Sequence, residues 1–591
     1  MKRQNLKSSF AMALLLALVI PILAACGGTA APAAQPTAAP AAAATAAPAA
    51  EATAAPEATA TTGGATKPAG NTLRIAESTW PDTLDPQDSS FTNEIAVEIL
   101  NYEGLTRLDK DLKTVPAAAE KWEYNSDATE LTFTLRDGLK YSDGSPLTSQ
   151  DFLKGVYRTL DPRGVVGDYQ TIIDMVKGAD AIIGTEVPTD EAKLPDLFKA
   201  LGVTAPDDKT IKFTFTKPTP YFHTIASLWV FYPAKQDLID KGGEQWYEDA
   251  ANQIGNGPFQ ITKIDKSANL IEYKPNENYW GGKPKLDGVQ LKFIDDLAVA
   301  LQAYKNGEVD VMTPDPNDVP SIQADAALGK EYLEYAGSCT LVVQFNLTKA
   351  PFDNLKVRQA FSYGFDREAY IRDVLKGTDI PTLTWIPPGY PGYDASETRF
   401  GFDPAKAKAT LAEAGFADGK GFPEVKLSYN SNNPANQARA EYLVQMYQKS
   451  LGVTLVPDPV EGTTLVNMRK DVSTYPQFLN GGGWCADYPD PQNWLSVYWH
   501  SRTNFAKNTG YKNADVDKLL DQADIELDAT KRADLYQQAQ KLIVGDVGEI
   551  MRSNTKNNFL VKPYVKNIGT TPQDSDYPGQ ALSLFTVTIE Q

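Results

Sequence analysis

Leu131-Thr132-Phe133-Thr134-Leu135 alternates apolar and polar residues; Asp143-Gly144-Ser145-Pro146 follows with the composition of a turn, and Thr148 opens a run to Leu160 with Phe152, Val156 and Leu160 four residues apart. A period of two is that of a strand with one solvated face. A spacing of four behind a hydroxyl residue is that of a capped helix. Strand, turn and helix in such close succession indicate an α/β chain. Outward from this stretch the mixture continues. Ile211-Lys212-Phe213-Thr214-Phe215 alternates in the same way, and strands are expected over 288–294, 340–346, 424–429 and 453–456. Helices are expected over 355–365, 404–414 with Gly415 as the stop, 435–450 and 515–525. No internal repeat is evident.

The chain has 591 residues. A folded part of that length exceeds what one hydrophobic core supports, so it should divide into lobes, and a cleft between lobes is a natural ligand site. The N-terminus stands apart from it. Lys2, Arg3 and Lys7 precede an uncharged apolar run from Phe10 to Ala25, too short to span a bilayer comfortably, which reads as an export signal over 1–25. It ends in Leu23-Ala24-Ala25-Cys26, which resembles a bacterial lipobox, making Cys26 the expected lipidation site; an ordinary signal with an incidental cysteine is the alternative. Acyl chains contribute about 0.8 kcal/mol per buried methylene, enough for two or three to hold a protein on a membrane without a spanning helix. Residues 27–70 contain 21 Ala, 8 Thr, 6 Pro and 5 Gly and no Leu, Ile, Val, Phe, Tyr or Trp, so this stretch cannot bury a core. With Cys26 it is expected to form a disordered tether, with coil dimensions on the order of 35–40 Å.

The formal net charge is −19, and the acidic excess lies wholly beyond the tether, which argues against nucleic acid as a partner. The two histidines, His223 and His500, lie in separate regions without metal-ligand spacing, and neither Gly-x-Ser-x-Gly nor His-Glu-x-x-His occurs. No metal, cofactor or catalytic residue is expected. A secreted hydrolase using two of the 75 acidic residues remains a rival reading. Beyond Cys26 the cysteines number two, Cys339 and Cys485, an even pair in an oxidising compartment. Parity predicts a disulfide, with two buried thiols as the alternative.

Several phrases carry a family resemblance. They include Thr83-Leu84-Asp85-Pro86, Tyr102-Glu103-Gly104-Leu105, Pro116 to Glu123, Leu135 to Gly144, Gly255-Asn256-Gly257-Pro258-Phe259, Asn278-Tyr279-Trp280, Gly307-Glu308-Val309-Asp310 and Pro351-Phe352-Asp353 through Val357-Arg358-Gln359-Ala360 to Asp366-Arg367. In this order they resemble the peptide, oligopeptide and nickel-binding family (family 5) of extracytoplasmic solute-binding proteins that serve ABC importers. Gly483-Trp484-Cys485-Ala486-Asp487-Tyr488-Pro489-Asp490-Pro491 is most similar to the ligand-binding segment of oligopeptide-binding members.

The resemblance implies a two-lobed, periplasmic-binding-protein-like α/β fold of class II type, with a hinge of two crossings and an extra subdomain on lobe one. Lobe one would take 71–102, 235–338 and 555–591, the subdomain 103–234, and lobe two 339–554. It implies that Asp487 pairs with the α-amino group of a bound peptide, and that Cys339 and Cys485 are disulfide partners beside it. Ser90, Phe91 and Thr92 align with a stretch whose main chain pairs with peptide, and Gly483 and Cys485 would offer main-chain groups from the other lobe. Tyr169 and Trp484 are pocket aromatics in this reading, with core packing as the alternative. Arg469 stands where some members place an arginine for the peptide's C-terminus, with surface exposure as the alternative; Gly481 and Ser227 stand where a charge would be expected. Asn504 or Asn508 is a candidate hydrogen-bonding residue, with a loop role as the alternative for each. The implied protein is a lipid-anchored, extracytoplasmic monomer that delivers peptides to an ABC-importer permease and its ATPase. A dipeptide, a sugar or a metal chelate is the alternative ligand, with nickel disfavoured by the scarcity of histidine.

Overall fold

The computed structural model describes residues 70–164 and 169–590. The expected leader, Cys26 and all but the last residue of the tether lie outside the described residues, which belong to one compact unit beginning at Gly63.

The opening stretch folds as its pattern dictates. Glu130–Leu135 is a strand whose apolar residues are buried, and Ser149–Leu160 is a helix that buries Phe152, Val156 and Leu160. Asp151 accepts the Thr148 N–H at 2.9 Å, the reciprocal half of a capping box that satisfies a donor the helix start would otherwise leave open. The strand sits in a four-stranded antiparallel sheet in the order Ala119–Tyr124, Glu130–Leu135, Thr210–Thr214, Val203–Asp207. One face of that sheet packs on the helix through a core that includes Phe133, Phe152, Phe213, Phe222 and Phe231.

The rest of the molecule is organised by a 12-stranded sheet that runs through both lobes. At one end lie Leu455–Val460, Val425–Asn430 and Phe478–Leu479; at the other, Val311–Met312, Thr72–Glu77, Gly288–Phe293, Leu270–Pro275 and Phe259–Asp265. Two long antiparallel strands, Tyr332–Phe345 and Glu549–Val561, join the ends. Their ladder is regular from Tyr332 to Ala336, breaks, and resumes at Thr340 opposite Asn554. Each end has its own core: Leu73, Ile75, Val289 and Leu291 on one side, Val343, Phe345, Leu427 and Phe478 on the other. Two cores bridged by two strands with an interrupted ladder make a two-lobed α/β fold with a double crossing.

The strand expected over 340–346 is therefore only the end of a longer one. Gly337 and Ser338 interrupt its alternation, and its first half is held extended by a partner more than 200 residues away (Tyr332 opposite Leu560). Among the described residues no helix is long and apolar enough to cross a membrane.

Candidate functional site

Beside the ladder break, the short strand Gly483–Cys485 pairs antiparallel with Tyr332–Phe345, placing Cys485 opposite Cys339, Trp484 opposite Thr340 and Gly483 opposite Leu341. A disulfide joins Cys339 to Cys485. It ties the segment covalently to the crossing strand.

The direction of the segment's main-chain groups is set by two flanking bonds. Ala486 N–H donates to Ser338 O at 3.0 Å, and Val342 N–H donates to Gly482 O at 3.2 Å. Antiparallel ladders alternate bonded and non-bonded pairs, so Trp484 turns its N–H and C=O inward while Gly483 and Cys485 turn theirs outward. Among the described residues no strand pairs with that outer edge. Gly483 lies so close to the crossing strand that a Cβ would collide with the Thr340 carbonyl oxygen, and its φ of +139° is one that other residues rarely adopt.

Two cavities flank the segment. One, of about 450 Å³, is lined by Gly483, Cys485, Asp487, Tyr169, Ser90 and Thr92 among others. The second, of about 740 Å³, is lined by Trp484, Asp487, Tyr169, Ser90, Phe91 and Asn504 among others. Ser90, Tyr169, Trp484 and Asp487 belong to both, so these residues form the partition between two compartments of one cleft.

Asp487 is held in place by neutral donors. Its Oδ2 accepts from Asn493 Nδ2 at 2.8 Å and its Oδ1 from the Tyr169 hydroxyl at 3.1 Å. Burial pushes its carboxyl up to about 6, while the bonds from Asn493 and Tyr169 act in the opposite sense. Among the described residues no Lys, Arg or His reaches it. Asn493 is used at both ends: its Oδ1 accepts the Trp484 indole N–H and the Asp487 N–H, each at 3.1 Å. Gln573 Nε2 donates to the carbonyls of Ala486 and Asp487 at 3.2 and 3.3 Å.

The other expected residues are distributed unevenly. The Tyr169 ring stands edge-on to Trp229 at 4.8 Å, and the Trp484 ring packs against Phe505 at 5.0 Å. Phe91 is 60% exposed and caps the helix Thr92–Asn101. The N–H groups of Ser90 and Phe91 both donate to Glu94 Oε2, at 2.8 and 3.0 Å, and the Phe91 carbonyl accepts from the first helical turn, so helix capping engages these groups. Asn504 opens a short helix capped by Thr503. Arg469 lines neither cavity; its Nη2 donates to Gln344 Oε1, on the crossing strand, at 3.5 Å. Two residues of the site, Asn493 and Gln573, escape the sequence reading. Asn493 falls in the first turn of a helix signalled by Asp490-Pro491, whereas nothing local marks Gln573, whose contact spans 87 residues.

Comparison with known proteins places this geometry in context. Residues 113–506 match the model of the bacterial extracellular solute-binding proteins, family 5. The chain belongs to this family. It is 29% identical over 489 residues to the oligopeptide-binding protein OppA of Bacillus subtilis, covering 80% of this chain and 86% of OppA. Identity to the dipeptide-binding protein DppE of the same organism is also 29%, over 486 residues, covering 80% and 85%. The solved structure of the Escherichia coli murein tripeptide binding protein MppA superposes with a TM-score of 0.71 at 26% identity, covering 88% of this chain and 99% of MppA. These relatives are binding proteins rather than enzymes.

Proposed function

We propose that the protein captures peptides, oligopeptides in particular, in the cleft between its lobes and delivers them to the permease and ATPase of an ABC importer. One observation carries this reading: Asp487 is an enclosed carboxylate with no cation partner among the described residues, and it stands beside an unpaired strand edge. A peptide supplies what both lack. Its N-terminal ammonium would cost several kcal/mol to bury unless a carboxylate compensated it, and its backbone can extend the open edge at Gly483 and Cys485 with hydrogen bonds common to every sequence.

Trp484, Tyr169, Ser90, Phe91, Thr92 and Asn504 complete the contact set in this reading, and selectivity for side chains is loose. The names of the oligopeptide-, dipeptide- and tripeptide-binding relatives support the ligand class. The lobes divide at the ladder break: 71–102, 235–338 and 555–591 form lobe one, 103–234 its subdomain and 339–554 lobe two. Ligand held by one lobe stabilises the closed form through contacts with the other, a population shift rather than a chemical step. The protein acts as a monomer outside the cytoplasm, anchored through lipidated Cys26 on its tether.

Calorimetry on Asp487→Ala tests the assignment. The variant should melt as a folded protein and bind trialanine at least about 100-fold more weakly than the wild type, the scale expected when a buried charge loses its partner. Unchanged affinity would refute the role of Asp487.

A further inference from the structure

Two apolar side chains cross the cleft in opposite directions. Leu112 is 6% exposed and belongs to the apolar cluster that holds Trp385, Tyr390, Ala486 and Trp494. Among the described residues, every other buried member of that cluster comes from 339–554. Tyr488 does the reverse. It is 1% exposed and is, among the described residues, the one member from 339–554 of the cluster that holds Tyr221, Phe222, Ile225 and Trp229. Each side of the cleft thus inserts a side chain into the core of the other.

Leu112 stands at the tip of a hairpin whose strands, Thr106–Leu108 and Thr114–Pro116, pair antiparallel. Asp109 shapes the tip: its Oδ1 accepts the N–H groups of Asp111 and Lys113, each at 2.9 Å, and its carbonyl accepts the Leu112 N–H at 3.0 Å. Hairpin tips are ordinarily polar and exposed, as the Lys110 and Asp111 side chains are here. Leu112 departs from that pattern twice, being apolar and buried, and holding a φ of +59° that leucine seldom adopts. A disfavoured backbone conformation persists where surrounding contacts overrule it, and for Leu112 the opposite lobe supplies them. The same hairpin contributes Leu108 and Asp109 to the wall of the 450 Å³ compartment, so seat and ligand space share one element.

Tyr488 directly follows Asp487, and two polar contacts accompany its seat. Lys217 Nζ lies 3.5 Å from Asp524 Oδ2, and the Arg532 guanidinium lies 5.1 Å from the centre of the Tyr221 ring. Both join 103–234 to 339–554. All four contacts are made by side chains of the protein, so closing the cleft buries apolar surface whether or not peptide takes part.

We propose that Leu112 and Tyr488 form a reciprocal latch that closes the two lobes through protein contacts alone, so that the closed form predominates before peptide enters and its release limits peptide exchange. The lobe boundaries and the peptide rest on the function proposed above, whereas the closure itself needs no ligand. Small-angle X-ray scattering tests the latch on full-length protein freed of ligand by unfolding and refolding with its disulfide intact. The wild type should already show the radius of gyration that it has in saturating trialanine. Asparagine tolerates the left-handed turn but does not fill the apolar seat. In Leu112→Asn the closed-to-open ratio should therefore fall about 10-fold to 100-fold, the effect of one buried leucine side chain. Its ligand-free radius should rise, and trialanine should restore it. Peptide release, followed by stopped flow, should be faster by the same factor. Leu112→Met, which refills the seat, should stay compact, and Leu112→Ala carries the test if the asparagine variant does not fold. A wild type that contracts on addition of trialanine as far as Leu112→Asn does would overturn the proposal, as would a ligand-free Leu112→Asn protein as compact as the wild type. A variant that expands but neither binds trialanine nor contracts with it overturns the peptide reading and leaves the latch standing.

Discussion

Asp487 and Asp490 lie three residues apart in one segment, yet their surroundings are opposite. Asp490 is committed to the fold: it receives the Arg532 guanidinium through two bonds of 2.7 and 2.8 Å and caps the helix Pro491–Trp499 by accepting the Gln492 N–H at 2.9 Å. Asp487 has an amide and a phenol for company and no cation among the described residues. The first arrangement closes a charge pair within the protein. The second leaves a part-buried charge open to the cleft, a stability penalty that a cationic ligand or protonation removes. The difference separates a structural carboxylate from a binding one more sharply than burial does.

Substitutions can break this contrast from either side. The largest effect should come from Asp490→Ala, which strands the half-buried Arg532 and removes a helix cap; unfolding free energy should fall by about 3–5 kcal/mol in chemical denaturation. A loss under about 1 kcal/mol would mean that the pair is not structural. Asp487→Asn should act in the opposite direction. The wild-type carboxyl lies near 6 in the fold, above its ordinary value, so the native state favours the protonated form. Its penalty is absent below about pH 4, grows as pH rises toward 6 and is constant above. The variant should therefore be more stable than the wild type at pH 7, by on the order of 2–3 kcal/mol, with no gain near pH 3. Equal stability at pH 7 would show that the charge carries no penalty.

The smallest expected effect is on ligand binding. Peptide affinity should weaken as pH falls through 6, by about tenfold between pH 7 and pH 5, because only the ionised carboxylate pairs with an ammonium. It should weaken again above about pH 8 as the peptide's amino group loses its proton. A flat profile from pH 5 to 7, with the protein folded throughout, would contradict the pairing.

How much of this is legible in the sequence depends on the range of the interaction. The strand at 130–135 and the helix at 149–160 are readable because alternation, turn and cap all lie within about thirty residues. The pairing of Cys339 with Cys485 is expected from parity, and the family phrases point to the segment around Asp487. The long crossing strand is only half visible, since Gly337 and Ser338 break its pattern and its extension depends on distant pairing. The grip on Asp487 is visible in part: the resemblance marks Tyr169, but Asn493 and Gln573 act through contacts that leave no periodic trace. The outward direction of Gly483 and Cys485 is a matter of ladder phase, and that phase is fixed by Ser338 and Val342 on another strand. The position of Arg469 is not readable either, because sequence order does not say that its side chain reaches Gln344, 125 residues away, and not the cleft.

The most direct measurement leaves the protein unaltered and changes only the charge it is built to meet. Trialanine and N-acetyl-trialanine, titrated calorimetrically into the wild type at pH 7, differ by one ammonium group. The account predicts that acetylation weakens binding at least about 100-fold, since the amide offers Asp487 no charge. Equal affinity for the two peptides would contradict it.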